Sequence, residues 1–173
     1  MDTANFVGRW MLTGSGAFKS EISFVGNKPE RNSVANWLNG FDSTLAAEVE
    51  PTAGLELEIH PDSVFPGGVF SERATAKLDI LWYDAEGVLC SKAEPFDGFL
   101  ATNKQGVYLR PVEIPDWGFP VKGKYGKVLL RLDDGDTKIC DRIAADDDRL
   151  IRIINVVTDE LYLDRIVLVY QRV

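Results

Sequence analysis

The sequence predicts an all-β fold built from antiparallel strands, either a sandwich or a barrel. Short runs with period-two alternation recur along the chain, and turn-forming residues separate them at a spacing of about 8–12 residues. In one such run Leu55, Leu57 and Ile59 alternate with polar residues. This alternation places one strand face inward and the other in water. A single segment with helical periodicity is the exception.

The expected strands follow each other closely and are bounded by turn signals rich in Gly, Asn, Asp and Pro. Residues 14–16 (Gly-Ser-Gly) are expected to end the first strand, and residues 51–54 to turn a hairpin between residues 45–50 and 55–60. In chain order, the predicted strands cover residues 6–13, 19–25, 45–50, 55–60, 75–83, 88–92, 98–102, 107–110, 127–132, 137–143, 149–157 and 161–172.

One short amphipathic helix interrupts the strands. Its apolar residues fall at positions i, i+3, i+4 and i+7, and they are Val34, Trp37, Leu38 and Phe41. A helix of this length is not stable alone in water, so it must pack against the rest of the protein. We expect it to cap the open end of a barrel.

Two longer segments lack strand periodicity, residues 61–71 and residues 111–125. They contain the aromatic residues Phe65, Phe70, Trp117 and Phe119. Long irregular loops in compact domains are often functional. Large aromatic side chains on such loops and on the helix would form a lid over a barrel mouth.

Composition narrows the class of protein. The chain has 173 residues, which predicts one domain over residues 1–173. Lys and Arg total 19 against 27 Asp and Glu, a formal charge of −8. This balance argues against binding to nucleic acid or to anionic membrane surfaces. No apolar stretch reaches the length of about 18 residues that indicates a membrane span.

The N-terminal residues and the cysteines bear on localisation. Residues 1–5 show neither the basic nor the apolar region of a signal peptide. Cys90 and Cys140 lie far apart in sequence and form no C-x-x-C pair. We therefore expect a cytoplasmic protein with reduced thiols.

Several kinds of chemistry are excluded by the scarcity of suitable residues. His60 is the single histidine, so zinc sites with two or three His ligands cannot form, and any nucleophile–histidine arrangement would need this residue. The aspartates in residues 133–136 and 146–148 lack the spacing of a calcium loop and indicate turns. No phosphate-binding glycine loop is present. We expect no metal and no cofactor.

The two ends of the chain carry a family resemblance. Residues 8–10 are Gly-Arg-Trp, at the start of the first strand, and Arg165 and Arg172 lie in the last strand. This pattern resembles the calycin superfamily, which includes lipocalins and fatty-acid-binding proteins. The resemblance implies a lipocalin-like barrel with one short capping helix, closed at the bottom by Trp10 with Arg172 or Arg165 packed over its ring. The chain departs from fatty-acid-binding proteins because its last strand lacks their Arg-x-Tyr pair.

A barrel of this kind can hold a small ligand, which we expect to be largely hydrophobic. Aromatic residues on the helix, strands and loops are candidates for lining the cavity, and an arginine in an apolar strand would anchor a polar group of the ligand. The predicted ligand-binding residues are Trp37, Trp82, Trp117, Phe119, Arg131 and Tyr170. Trp82 and Tyr83 lie on opposite faces of one predicted strand, so one of them should face inward. For each residue, core filling or solvent exposure is the alternative.

Two further functions remain open. The first is a cofactor-free cyclase or isomerase acting on a hydrophobic natural-product intermediate, with Glu56, Arg110 and Tyr108 as candidate catalytic residues. The second is a chromophore lyase or chaperone, for which an exposed apolar patch beside the barrel mouth is expected. The sequence also allows a homodimer.

Overall fold

The computed structural model describes residues 2–21, 24–29, 31–77, 82–83, 87–90, 94–112 and 128–173. Its strands, in chain order, are β1 (Gly8–Glu21), β2 (Phe24–Val25), β3 (Lys28–Pro29), β4 (Glu50–Pro51), β5 (Leu55–His60), β6 (Val69–Ala74), β7 (Trp82–Tyr83), β8 (Leu89–Cys90), β9 (Gly98–Thr102), β10 (Val107–Pro111), β11 (Leu132–Asp133), β12 (Thr137–Asp146), β13 (Arg149–Thr158) and β14 (Tyr162–Arg172). Within these residues there is one α-helix, α1 (Arg31–Asn39), and two short 3₁₀ helices (Ala4–Phe6 and Ser43–Ala47).

Eight strands form a closed antiparallel barrel. Their order around the wall is β10-β9-β6-β5-β1-β14-β13-β12, and a pairing of β10 with β12 closes the ring. That closing pairing involves only two residue pairs, and beyond it β11 takes over as the partner of β12. Every pairing is antiparallel. The predicted fold class, an all-β antiparallel barrel with one short helix, is confirmed.

The interior of the barrel is filled by apolar side chains from all eight wall strands. They alternate with outward residues, as the strand pleat requires. The members of this cluster from the wall strands are Trp10, Leu12, Leu55, Leu57, Ile59, Phe70, Leu100, Val107, Leu109, Ile139, Ile143, Leu150, Ile154, Val156, Ile166, Leu168 and Tyr170.

Trp10 closes one end of the barrel. Its ring is fully buried, its indole N–H donates to the Phe6 carbonyl at 2.8 Å, and the Arg172 guanidinium lies over the ring at 4.1 Å from its centroid. Arg172 also donates to the Val7 carbonyl at 2.7 Å. Gly8 has a φ of 137° and a Cβ at this position would lie 2.8 Å from the Arg172 guanidinium, so a glycine is required here. The predicted seal of the barrel floor is therefore present, and Arg172 supplies it.

Helix α1 lies on the outer wall of the barrel and not over its open end. Val34 and Leu38 of the helix form a second buried cluster with outward-facing residues such as Cys140 and Val157. No residue of α1 belongs to the interior cluster among the described residues. The helix therefore shields apolar residues on the outer faces of β12 and β13, which explains why those strands are apolar on both sides.

Hydrogen bonds from the wall fix the position of α1. The Asn155 amide donates to the carbonyls of Leu38 and Gly40 at 3.2 and 2.8 Å. The Arg165 guanidinium lies 4.1 Å from the centroid of the Trp37 ring, and the Trp37 indole donates to the Asp164 carbonyl at 3.1 Å. Arg165, the alternative partner for Trp10, is thus used to dock the helix.

Several predicted strand boundaries differ from the structure. Residues 14–16 do not end β1; they continue it through a register shift, and Gly14 leaves room for the Val49 side chain. Residues 43–47 form a 3₁₀ helix instead of a strand, because the Asp42 carboxylate accepts from the Thr44 amide and competes with sheet pairing. The partner of β5 in its hairpin is β6, which lies partly in a segment predicted to be a loop.

Among the described residues, no helix has both the length and the hydropathy needed to cross a membrane.

Replacing Arg172 with Met should lower the free energy of unfolding by about 2–3 kcal/mol, because the stacking on Trp10 and the hydrogen bonds to main-chain carbonyls are lost. Urea denaturation measures this change. Arg149→Met is the control, since the one hydrogen bond shown for that side chain is long, at 3.5 Å, and its loss should change stability by less than about 0.5 kcal/mol. Equal effects of the two variants would contradict the role given to Arg172.

Cys140 should be unreactive in the folded protein. It is a free cysteine beneath α1, and burial raises the pKa of its thiol to about 12. In a Cys90→Ser background, labelling with a thiol reagent at pH 7.5 should be more than about 100-fold slower than in the unfolded chain. Labelling of the folded protein at the unfolded rate would show that α1 does not cover this site.

Candidate functional site

A cavity of about 710 Å³ opens at the end of the barrel opposite Trp10. Its wall is formed by the ends of β1, β12, β13 and β14, and its remaining side by the short β7–β8 hairpin. The residues that line it are Lys19, Ser20, Tyr83, Gly87, Leu89, Thr137, Thr158, Tyr162, Leu163 and Asp164.

Strand register explains why polar side chains meet at this rim. Lys19 pairs with Asp164 across β1 and β14, and Thr137 pairs with Thr158 across β12 and β13. These positions continue the inward-facing alternation of their strands, beyond the last apolar residues of the interior. The inner surface of the barrel therefore changes from apolar to polar at the last inward positions of these strands.

The β7–β8 hairpin occupies the space inside the mouth. Trp82 and Tyr83 are both buried and both belong to the interior cluster, although only one of them was expected to face inward. The reason is that, among the described residues, β7 and β8 pair with each other and not with the strands of the barrel wall, so both faces of β7 meet protein. Gly87 has a φ of 83° and a Cβ there would overlap the Leu132 side chain, so the hairpin sits tightly against β11.

Tyr83 and Asp164 form the polar centre of the cavity. The Tyr83 hydroxyl donates to Asp164 Oδ2 at 3.2 Å, and Lys19 Nζ lies 3.9 Å from Asp164 Oδ1. Burial, reinforced by the neighbouring Asp164 carboxylate, raises the pKa of Tyr83 well above its ordinary value. Tyr83 therefore stays protonated near neutral pH and acts as a hydrogen-bond donor to this carboxylate.

Beneath the hairpin lies a group of four fully buried charged side chains, which we call the ion cluster: Glu72, Arg131, Asp141 and Arg152. Arg152 binds both oxygens of Asp141, at 2.8 and 2.6 Å, and also contacts Glu72. Arg131 donates to Asp141 at 2.9 Å and to the Tyr83 carbonyl at 2.8 Å. The two positive and two negative charges balance, and they connect the wall to the hairpin.

Aromatic rings enclose the ion cluster. The Arg152 guanidinium lies 4.8 Å from the Trp82 ring centroid, and that of Arg131 lies 5.0 Å from the Phe96 ring centroid. The Phe96 amide donates to the Glu72 carboxylate at 3.4 Å. Burial raises the pKa of Glu72 above its ordinary value. The cluster lies in the barrel interior, and its four side chains have no contact with solvent.

The predicted ligand-binding residues are distributed over several places. Arg131, Trp82 and Tyr170 face the barrel interior, where Arg131 belongs to the ion cluster and Trp82 packs on it. Trp37 lies on the outer wall, where it docks the helix. Trp117 and Phe119 lie outside the described residues, so the predicted aromatic lid is not placed.

The three predicted catalytic residues do not reach the cavity. Glu56 lies on the outer face of β5, where Arg9 and Arg73 bind it at 3.1 and 2.8 Å; the hydrogen bond from Arg9 is the main cause that holds the pKa of Glu56 below its ordinary value. Tyr108 belongs to the outer cluster beneath α1, and Arg110 shares its strand face. All three are buried by outer packing, which strand alternation alone does not reveal.

Several residues at the site were missed by sequence reasoning. Asp164 and Lys19 look like ordinary surface residues of alternating strands, and only their position beyond the apolar interior makes them line the mouth. Glu72 and Asp141 interrupt apolar strand faces, as Arg152 does. The signal available in the sequence was the presence of opposite charges at inward positions of different strands.

Within the part of the chain that the structure describes, no group of three or more His, Cys, Asp or Glu side chains is placed to hold a metal ion.

Comparisons with known proteins give no family. No protein-family model matches the chain, and no curated protein matches it. Among solved structures, one similar chain is a protein of unknown function from the DUF3598 family of Nostoc punctiforme PCC 73102, with a TM-score of 0.45 and 8% identity. The similarity covers 100% of this chain and 49% of the other protein's chain, so this chain spans about half the length of that protein. Another is the zebrafish ileal bile acid-binding protein complexed with cholic acid, with a TM-score of 0.37, 10% identity, and coverage of 98% of this chain and 100% of its own.

Replacing Asp141 with Asn should destabilise the protein by about 3–5 kcal/mol, because Arg131 and Arg152 would then be buried with too little negative charge. Chemical denaturation followed by circular dichroism gives the value. The matched control is Asp147→Asn in the exposed turn between β12 and β13, which should change stability by less than about 0.5 kcal/mol. A small effect of the Asp141 variant would show that the ion cluster is not formed as described.

Proposed function

We propose that this protein binds a small, largely hydrophobic molecule at the open end of its barrel. The observation that carries the proposal is the cavity of about 710 Å³ at the end opposite Trp10. Ligand pockets typically enclose about 300–1,000 Å³. The rest of the barrel is occupied by the apolar interior and the ion cluster, so the ligand would lie at the mouth and not along the barrel axis.

The lining of the cavity supports a ligand with an apolar body and a polar group. Leu89 and the rings of Tyr83 and Tyr162 offer apolar surface, whereas Asp164 and two threonines offer hydrogen bonds. Leu89 and Tyr162 are also exposed, 54% and 63% respectively. A bound molecule would cover part of this apolar surface.

A cofactor-independent cyclase or isomerase acting on a hydrophobic natural-product intermediate is the second candidate. One observation favours it: an ionisable pair, Tyr83 and Asp164, lines the cavity at hydrogen-bond distance. General acid–base catalysis needs such a group beside the reacting atom. Ligands recovered unchanged after incubation with the protein would favour binding alone; conversion that is lost in Tyr83→Phe would favour the enzyme.

A chromophore lyase or ligand chaperone is supported by a different feature. Val88, Leu89, Leu161 and Tyr162 are large apolar side chains exposed at or next to the mouth. Exposed apolar patches often mark contacts with another protein. This patch is in the position expected for a protein that passes its ligand to a partner.

Filling the cavity tests the proposed binding. Thr158→Trp places a large ring inside the mouth and should weaken the binding of a hydrophobic fluorescent probe, 1-anilinonaphthalene-8-sulfonate or a neutral analogue, by at least about tenfold. Thr102→Trp, on the exposed end of the β9–β10 hairpin, is the matched control and should bind like the wild type. Probe titration gives the affinities, and circular dichroism confirms that both variants fold. Unchanged binding to Thr158→Trp would place the probe elsewhere.

A further inference from the structure

The charged side chains around the cavity indicate which class of ligand would bind there. Among the described residues that line it, Asp164 is the acidic one, and 21% of its side chain is exposed. It receives a hydrogen bond from Tyr83, but its contact with Lys19 is long, at 3.9 Å. The Lys19 side chain is 75% exposed, and ion pairs this exposed contribute little free energy. A cationic group of a ligand could therefore replace Lys19 beside this carboxylate at small cost.

Two turns place negative charge on one side of the mouth. Asp133 ends β11 and the turn after it contains Asp134 and Asp136, whereas the turn between β13 and β14 contains Asp159 and Glu160. The Asp159 amide donates to the Asp136 carbonyl at 2.8 Å, so the two turns lie side by side. They directly adjoin three cavity residues: Thr137, Thr158 and Tyr162.

Basic residues near the mouth do not neutralise this charge. Among the described residues, the lysines of the cavity lining and its adjoining turns are Lys19, which lines the cavity, and Lys138, which follows Thr137. Lys138 donates to the Gly135 carbonyl and lies 3.7 Å from Asp133. The two arginines beneath the hairpin are balanced by Asp141 and Glu72 and are fully buried. A cleft lined mainly by one sign of charge raises the local concentration of oppositely charged ligands.

The aromatic residues of the cavity suit the same kind of ligand. Tyr83 and Tyr162 both line it, together with the Asp164 carboxylate. The faces of aromatic rings attract cations, and aromatic sites are a common means of binding quaternary ammonium groups. Because Tyr83 is held by Asp164, its ring is fixed at the position where such a group would lie.

We propose that the cavity selects cationic amphiphiles: molecules with an apolar body and an amine or quaternary ammonium group. The cationic group binds Asp164 between the rings of Tyr83 and Tyr162, and the apolar body covers Leu89 and the adjoining exposed surface. The acidic turns attract this ligand and repel carboxylates of the same size. This inference rests on the proposed function, since it concerns the ligand of the same cavity.

Three probes with one alkyl chain and different head groups test the inference. Dodecyltrimethylammonium, dodecanol and dodecanoate are titrated below their aggregation concentrations by displacement of a neutral fluorescent probe. At low salt the cation should bind at least about tenfold more tightly than the carboxylate, a difference of roughly 1.4 kcal/mol. Added salt should narrow the difference, because the acidic turns are exposed to solvent.

The variant Asp164→Asn tests the role of the carboxylate. It should weaken binding of the cation by about tenfold and so remove the preference for the cation over the carboxylate, and circular dichroism reports whether the variant is folded. Asp147→Asn removes the same charge at the closed end of the barrel and should leave all three affinities unchanged.

The outcomes separate the inference from the proposed function. If dodecanol binds but the cation binds no better than the carboxylate, the ligand class is wrong and the binding function stands. If Asp164→Asn leaves the preference for the cation intact, the assignment to this carboxylate is overturned. If none of the three probes binds, the proposed function fails and the inference fails with it.

Discussion

The buried carboxylate of Asp141 is the interaction on which the interior of this barrel depends. Two guanidinium groups, from Arg131 and Arg152, bind it inside a protein region without solvent, and Arg152 also binds Glu72. Buried ions are tolerated only when they are paired and fully hydrogen-bonded, so the four side chains require each other. They come from β6, β12, β13 and the segment before β11, so the cluster links wall strands at the place where the ring is closed by only two residue pairs.

The ion cluster also limits the free volume inside the barrel. It lies in the barrel interior, and one of its arginines holds the carbonyl of Tyr83, which fixes the β7–β8 hairpin inside the mouth. At the other end Trp10 and Arg172 close the floor. The volume that remains lies between the hairpin and the rim, where inward strand positions are polar. The antiparallel wall therefore encloses a cavity whose lining is partly charged.

Much of the wall could be predicted from the sequence, because inward apolar residues alternate with polar ones in β5 and β10, turn signals separate the strands, and Gly8 and Trp10 indicated the closed end. The prediction of which strand face is inward failed where the pattern of apolar residues had a cause other than the barrel interior. In β6 the inward Glu72 interrupts the apolar face. Its partner Arg152 is distant in sequence, so the pattern of β6 alone does not reveal the ion pair that allows this charge to be buried. In β13 both faces are apolar because α1 covers the outer one, so alternation cannot distinguish inside from outside.

The candidate site was harder to predict than the fold for the same physical reason. Tyr108 and Arg110 look like polar residues turned into a barrel, but their face is covered by the outer cluster, and Glu56 is buried by two arginines from neighbouring strands. Burial in this protein occurs on both sides of the wall, so a buried polar residue is not evidence of a cavity. What identifies the mouth is the end of the inward apolar series: beyond Ile166 and Val156, the next inward residues are Asp164 and Thr158. At this mouth the apolar series ends in an acidic residue, with tyrosines and acidic turns beside it, and these features are the basis for the proposed position and charge of a ligand.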